Sequence, residues 1–398
     1  MAGERKEIAE SDAICHGWRV TVKGNLDLFS STGARCMRAA LMREVGQSFA
    51  LENVILRPAE AEEVRIKMVA CSICQSDLSF LQGHWSCDLP ALLGHEAAGI
   101  VIEAGPQAGG FKPGDRVIAS LIRSCGACPA CLGGLAVNCS APPEMTSPVI
   151  TTVQGETVWQ GMNMGAFAEE ILVHHHQVMA VPDALPLNRA CLLSCGVITG
   201  WGSVRHVAGL AKGAKTAVIG IGGIGLNILQ AARMAGASAQ LGLDISAAKQ
   251  SAAHDFGASH FADPRDADAV QAALRDMRAE AGLDAVFVSV GLAAAIEQAI
   301  GLVKPGGMVI IAGMPASDDL VQLDAASLAA ASKIIKGSKM GAAILQQDIP
   351  QLVSFWQDDK LDLDALVSHH FPFDEINQAI ATATQGGARR VVIEFGEA

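Results

Sequence analysis

The sequence contains no tyrosine, and its aromatic residues together make up only 4%. Charge is scarce too, at 18% of residues, and its balance is a formal −12. A chain without basic excess has little with which to neutralise phosphates, which excludes nucleic acid as the expected partner and leaves a small molecule. No run of eighteen apolar residues escapes interruption by charge or a helix breaker, so no membrane span is expected. The opening MAGERKEIAESDAICHGWRV is charged and broken and lacks the apolar stretch of a signal peptide. A cytoplasmic, reducing compartment is the resulting expectation. In it the eleven cysteines serve as metal ligands or small buried hydrophobes rather than disulfides.

Half of the 398 residues are apolar and 41 are glycine, which excludes disorder over most of the length. A chain of this size divides its core between two domains. Residues 1–36 show no sustained period and are assigned no structure; an ordered arm, a tail and a start codon placed too early all stay open. From Met37 alternating segments with Gly and Pro punctuation predict a β-rich, barrel-like domain over 37–196. From residue 197 to 339 apolar strands alternate with helices: TAVIGI, GGIGLNILQAARMAG, AQLGLDI, SAAKQSAAHDFG, DAVFVSV, AAAIEQAIGLV, GMVIIAG. This is the grammar of a doubly wound parallel sheet. Residues 340–398 return to mixed text, and their last strand, in ARRVVIEF, is expected to rejoin the first domain.

Within the β-rich part, CGACPACLGGLAVNC places Cys125, Cys128, Cys131 and Cys139 at spacings of three, three and eight. Four thiolates so spaced hold Zn²⁺ tetrahedrally and leave no open position, as in a structural zinc lobe. In the second part, GIGGIG puts Gly220, Gly222 and Gly225 between a strand and a helix, with Gly223 and Ile224 completing the turn. The first glycine permits the turn, the second lets backbone approach a pyrophosphate, and the third allows close helix–strand packing. Asp244, at the end of the next strand, is placed to accept hydrogen bonds from a ribose and to repel a 2′-phosphate, which predicts NAD over NADP. A helix N-cap role for Asp244 is compatible with this.

Cys74, His95 and Cys195 form a different set: two thiolates and one imidazole give zinc a neutral centre with an open fourth position. Spacing alone does not tie these three together. Cys71 makes a CxxC with Cys74, but no thioredoxin-like pattern surrounds it, and Cys71 reads as a buried small residue, as does Cys191. His174, His175 and His176 read as consecutive residues of one strand, whose side chains alternate between faces, rather than as a metal site.

The segments VACSICQSDLSFLQG, LLGHEAAGIV, KPGDRV, CGACPACLGGLAVNC, LLSCGVITGWG and VIGIGGIGL, in this order, resemble the zinc-dependent alcohol dehydrogenases of the medium-chain dehydrogenase superfamily. The resemblance runs from about Met37 to the C-terminus. It implies a GroES-like catalytic domain and a Rossmann-type NAD domain, two zinc ions per chain, and a homodimer or homotetramer. It implies that Cys74, His95 and Cys195 hold the catalytic zinc with Glu96 near it, that Asp77 orients His95, and that Ser76 takes the alcohol proton. It further implies that Thr199 packs by the nicotinamide, Lys249 meets the adenosine ribose, and Arg390, less so Arg389, meets the pyrophosphate.

Two departures stand out. Ser79 occupies a position where many members carry a proton-relaying histidine, so release must use water, the nicotinamide ribose or another base such as His84. Gln75 replaces a basic residue often found next to the ligand. The implied substrate wall contains Trp85, Leu121 and Met162, with Trp159 nearby. It is apolar, and Trp85 stands where glutathione-dependent formaldehyde dehydrogenases carry an acidic residue. The expected activity is NAD-dependent, reversible oxidation of apolar or aromatic primary alcohols. A thiol-adduct formaldehyde dehydrogenase is the alternative within the class, and a non-catalytic NAD- and zinc-binding redox sensor the alternative outside it.

Overall fold

Two β-sheets built from the first and last parts of the chain carry one half of the molecule, and a parallel sheet carries the other. The computed structural model describes residues 10–15, 18–23, 34–316 and 319–396. The longest strand of the first half, Glu63–Ser72, lies at the centre of a seven-stranded sheet. It pairs antiparallel with Glu96–Ala104 on one edge. On its other edge it pairs with Glu170–His174 along Glu63–Lys67 and with Arg390–Glu394 along Ala70–Ser72. The C-terminal strand therefore returns to the first half, as ARRVVIEF predicts, with Val392 opposite Ser72. A five-stranded sheet centred on Arg35–Met42 and Ala50–Leu56 packs beside it, and an Ala39–Ala168 bridge ties the two sheets together. Met37, Leu41, Val54, Ile66, Met68, Phe167 and Leu172 fill the space between them. Each such side chain contributes about 1.5–3 kcal/mol when fully buried.

The second half is a six-stranded parallel sheet in the order His260–Ala262, Ala239–Leu243, Lys215–Ile219, Leu283–Val288, Val303–Ile311, Ile334–Gly337. Numbered along the chain this is 3-2-1-4-5-6, the doubly wound order in which ligands bind where the direction reverses, beyond the C-terminal end of the first strand. Ala217, Leu241, Val286, Val288 and Val309 are fully covered. Burial on both faces explains why these strands read as continuous apolar runs rather than alternations.

Three differences from the sequence reading concern short elements. The segment before Met37, to which the sequence assigns no structure, includes strands Glu10–Cys15 and Trp18–Lys23, paired as an antiparallel hairpin, and the first sheet strand already starts at Arg35. The second of them, WRVTVK, does alternate apolar and polar residues, but over only six positions, too short a run to stand out as a sustained period. Cys36 is disulfide-bonded, against the expectation for the cysteines as a group. The histidine run does not lie along one strand. The strand Glu170–His174 ends at His174, and His175–Gln177 form a single tight 3₁₀ turn that folds the three rings onto one another, with centroids 4.3 to 4.7 Å apart. The turn is closed by the His176 backbone N–H, which donates to His174 Nδ1 at 3.2 Å. That local cap competes successfully with continuation of the ladder.

Candidate metal centres and nucleotide crevice

The strand Glu63–Ser72 ends just before Cys74, which caps the helix Gln75–Leu81. Asp77, in the first turn of that helix, is fully buried and turns its carboxylate back on the cap. One oxygen accepts the Cys74 backbone N–H at 3.0 Å; the other accepts the Gly94 N–H at 3.0 Å and lies 3.2 Å from His95 Nδ1. A single side chain thus joins two segments eighteen residues apart and fixes the imidazole with Nε2 pointing away. Cys195, at the start of the helix Gly196–Gly202, completes the set. Donor atoms of Cys74, His95, Glu96 and Cys195 all lie within 4.8 Å of one another, and all four residues are buried.

This pocket of donors fits a zinc ion. His95 Nε2 and one carboxylate oxygen of Glu96 are buried with no hydrogen-bond partner among the described residues. An orphaned imidazole nitrogen facing two thiols is costly without a cation, because a buried polar group left unpaired pays its full desolvation. The two thiols act on each other: Cys74 is held well below and Cys195 well above the ordinary thiol range, in each case chiefly by the other's side chain. Burial pushes the Glu96 carboxyl up to about 7, against the pull of Arg390.

Arg390 donates to Glu96 from the last strand, and both side chains are almost wholly buried. The same guanidinium packs where Cβ atoms on Gly196 and Gly223 would intrude, each 2.8 Å from it. It therefore stands between the donor cluster and the glycine turn, next to the expected pyrophosphate position as well as the metal centre. Ser76 Oγ lies 3.9 Å from Cys74 Sγ and is only half buried. Thr199 is buried on the helix Gly196–Gly202. Phe80 is the centre of an aromatic wall, edge-on to Trp85 at 5.3 Å and to Trp159 at 5.5 Å, and Leu121 and Met162 pack half-buried against the same apolar cluster. Ser79 is buried and His84 exposed. Cys71 and Cys191 are fully buried, as expected, and burial pushes both thiols up.

Sequence reasoning missed Phe80 and Met340. The Met340 thioether lies 3.8 Å from Cys195 Sγ and 3.6 Å from Thr199 Oγ1, in a loop whose Met340, Gly341 and Ala342 all have positive φ. No local motif marks it; the loop is recognisable only once Gly202 is seen to approach the Gly341 backbone too closely for any Cβ.

The four lobe thiols lie within 4.8 Å of one another. The Sγ pairs Cys128–Cys131, Cys128–Cys139 and Cys125–Cys139 are 3.5, 3.8 and 3.5 Å apart. A tetrahedron of Zn–S bonds near 2.3 Å requires S···S separations of about 3.8 Å, whereas a disulfide requires about 2.05 Å. Backbone N–H groups of Ala127 and Cys128 point at Cys125 Sγ, at 3.4 and 3.3 Å, and favour a thiolate there.

At the sheet's reversal point, Gly220 has φ +94° and a Cβ on Gly225 would lie 1.9 Å from the Gly220 carbonyl, so side chains are excluded at both positions. Gly222, the N-cap of the helix Gly223–Met234, faces open space, leaving its backbone approachable. Asp244 is 6% exposed and accepts hydrogen bonds from the backbone N–H groups of Ile221 at 2.7 Å and Ser246 at 3.0 Å and from Lys249 Nζ at 2.9 Å. It braces the glycine turn as well as the turn that follows its own strand.

Residues 60–183 match the family profile of the alcohol dehydrogenase GroES-like domain, and residues 223–358 that of the zinc-binding dehydrogenases. The chain belongs to the medium-chain, zinc-binding alcohol dehydrogenase family. Its GroES-like and Rossmann-type parts are those of the family. Alcohol dehydrogenase-like 7 of Arabidopsis thaliana is 31% identical over 376 residues, covering 91% of this chain and 96% of that protein. Benzyl alcohol dehydrogenase from Acinetobacter calcoaceticus superposes with a TM-score of 0.84 at 27% identity, covering 91% of this chain and all of that one. A zinc-binding dehydrogenase from Sinorhizobium meliloti, solved bound to NADP, gives 0.77 at 26% identity, covering 90% and 99%. Membership makes the protein a zinc- and nucleotide-binding oxidoreductase. Among the described residues no helix is long and apolar enough to cross a membrane.

Proposed function

We propose that the protein catalyses reversible, NAD-dependent oxidation of apolar or aromatic primary alcohols, with one catalytic and one structural zinc per chain. The observation that carries this reading is the buried meeting of Cys74, Cys195 and the orphaned His95 Nε2. Zinc held by these three residues supplies a Lewis acid that acidifies an alcohol, and nicotinamide supplies the hydride acceptor. Asp77 keeps His95 in the Nδ1–H tautomer that leaves Nε2 free for the ion. Ser76, half-buried beside Cys74, accepts the hydroxyl proton and passes it outward by water, the coenzyme ribose or the exposed His84, because Ser79 carries no base. Arg390 holds Glu96 and presents its remaining donors toward the glycine turn, while Thr199 and Met340 shape the floor next to Cys195. The Phe80–Trp85–Trp159 wall offers flat apolar area and no charge for a glutathione adduct, and likeness to a benzyl alcohol dehydrogenase points the same way.

The coenzyme preference rests on Asp244, whose buried carboxylate would face a 2′-phosphate with like charge. The likeness to an NADP-bound relative makes this worth direct measurement. Pairing of two copies belongs to the same reading: Ile334–Gly337 is the outer strand of the parallel sheet, with Ile334 exposed on it. The test is kcat/KM, read by NADH absorbance, for a benzylic alcohol, a medium-chain alkanol and the glutathione–formaldehyde adduct with NAD and NADP. The benzylic alcohol with NAD is expected to lead. Dominance of the adduct or of NADP overturns the corresponding part, and absence of turnover in a zinc-loaded protein overturns the whole.

A further inference from the structure

A cavity of about 560 Å³ opens over the seven-stranded sheet, and no residue of the metal centres or the glycine turn lines it. Its size is that of a small-molecule pocket. Val69, Ile100, Leu187 and Phe371 give it an apolar floor. A bulge helps to shape that floor: in the ladder between Glu63–Ser72 and Glu96–Ala104, Met68 faces Gly99 and Ala70 faces Ala98, which leaves Val69 without an opposite residue. Such an extra residue bends its strand and re-aims a side chain.

Two opposite charges line the same cavity, Arg116 and Glu394. Arg116 opens the strand Arg116–Ala119 and pairs with Ile100, while Glu394 ends the strand Arg390–Glu394 and pairs with Ala70. The strands Glu96–Ala104 and Glu63–Ser72 lie between them, so three strand spacings, about 14 Å, separate their backbones. The side chains reach over part of that span, and no ion pair joins them.

Each charge is anchored by one atom and open at another. Arg116 Nη2 donates to the Leu185 carbonyl at 2.9 Å, and Nη1 has no hydrogen-bond partner among the described residues. Asp183 stands 3.7 Å from Nε, beyond hydrogen-bond reach, with its side chain 99% exposed. Glu394 Oε1 accepts from Asn188 Nδ2 and from His370 Nδ1, each at 2.9 Å, and Oε2 accepts from nothing among the described residues. A simple anion here meets the repulsion of Glu394, and a simple cation that of Arg116. A molecule with both charges, one at each end of an apolar body, matches both walls and the floor.

We propose that this cavity is a second small-molecule site, which binds an elongated zwitterion with its carboxylate on Arg116 and its ammonium on Glu394 Oε2. Both contacts are charge-assisted hydrogen bonds, the stronger kind. Binding needs neither zinc nor coenzyme, since the site shares no residue with the chemistry described above.

The experiment is calorimetric titration of 6-aminohexanoate into the full chain, with hexanoate and hexylamine as probes that each lack one end. Arg116→Gln and Glu394→Gln are titrated alongside, with melting temperature measured on both. Glu394→Gln keeps an oxygen that can accept from Asn188 and His370 and removes the charge; should Arg116→Gln melt lower for want of its Leu185 contact, Glu394→Gln decides. Expected is one 6-aminohexanoate per chain, bound roughly tenfold or more tightly than either truncated probe and weakened by a similar factor in each variant. The KM for a benzylic alcohol stays unchanged in its presence. Absence of saturable binding, equal binding of a truncated probe, undiminished affinity in Glu394→Gln, or competition with the alcohol each overturns the proposal.

Discussion

Replacing Asp77 with Asn tests whether one carboxylate assembles the open metal centre. Asp77 is fully buried and accepts from three donors: the Cys74 and Gly94 backbone N–H groups and His95 Nδ1. Asparagine keeps the size but has a single acceptor oxygen. In one orientation it serves Gly94 and His95 and turns its NH₂ against the Cys74 N–H; in the other it serves Cys74 and strands the remaining two. Each buried donor left unpaired costs about 1–3 kcal/mol. Part of that cost falls on the metal, since Cys74 and His95 are themselves donors, and loss of such an orienting partner weakens zinc binding about 10- to 100-fold. This corresponds to about 1.4–2.8 kcal/mol. Chelator competition monitored by zinc content reads the result, with the lobe as an internal reference because its four thiols lie in another segment. In Asp77→Asn one zinc should leave at lower chelator concentration, the lobe zinc should hold, and kcat/KM for alcohol should fall in parallel. Wild-type retention of both zincs with unchanged turnover would refute the reasoning, as would earlier loss of the lobe zinc.

Cys128→Ser should lower the melting temperature and remove one zinc while leaving the other in place; a variant that melts normally with both ions contradicts the lobe geometry. Gly225→Ala puts a methyl 1.9 Å from the Gly220 carbonyl, so coenzyme affinity should drop at least roughly tenfold with zinc content unchanged, as followed by NADH fluorescence titration. Trp85→Ala removes half of the edge-on pair with Phe80 and should reduce kcat/KM for a benzylic alcohol more than for a short alkanol. His174, with its folded pKa down at about 4 against about 6.5 unfolded, binds its proton more readily in the unfolded chain. Its contribution to stability is therefore complete above pH 6.5 and is lost as pH falls toward 4; in urea titrations across that window His174→Gln should show a shallower decline than the wild type.

Features whose parts lie close together in the chain were determined by the sequence itself. The lobe's ligands fall within fifteen residues, and the glycine turn sits between a strand and a helix that its own flanks predict. Continuous apolar strands likewise announce a parallel sheet covered on both faces. The open metal centre was legible only by resemblance, because no local spacing links Cys74, His95 and Cys195.

Their meeting is a product of strand pairing. The register that sets Val392 opposite Ser72 carries Arg390 to Glu96, 294 residues away, and the close approach of Gly202 to Gly341 brings Met340 to Cys195, 145 residues away. The histidine run shows the opposite limit. Its residues are adjacent, yet whether they alternate across a strand or converge depends on where the ladder ends, and a hydrogen bond from the His176 backbone to His174 decides that. Composition and period determined which elements form and which motifs they carry. Only the tertiary structure decided which side chains share a space, because contact across hundreds of residues is set by sheet register and close backbone packing, neither of which leaves a local trace.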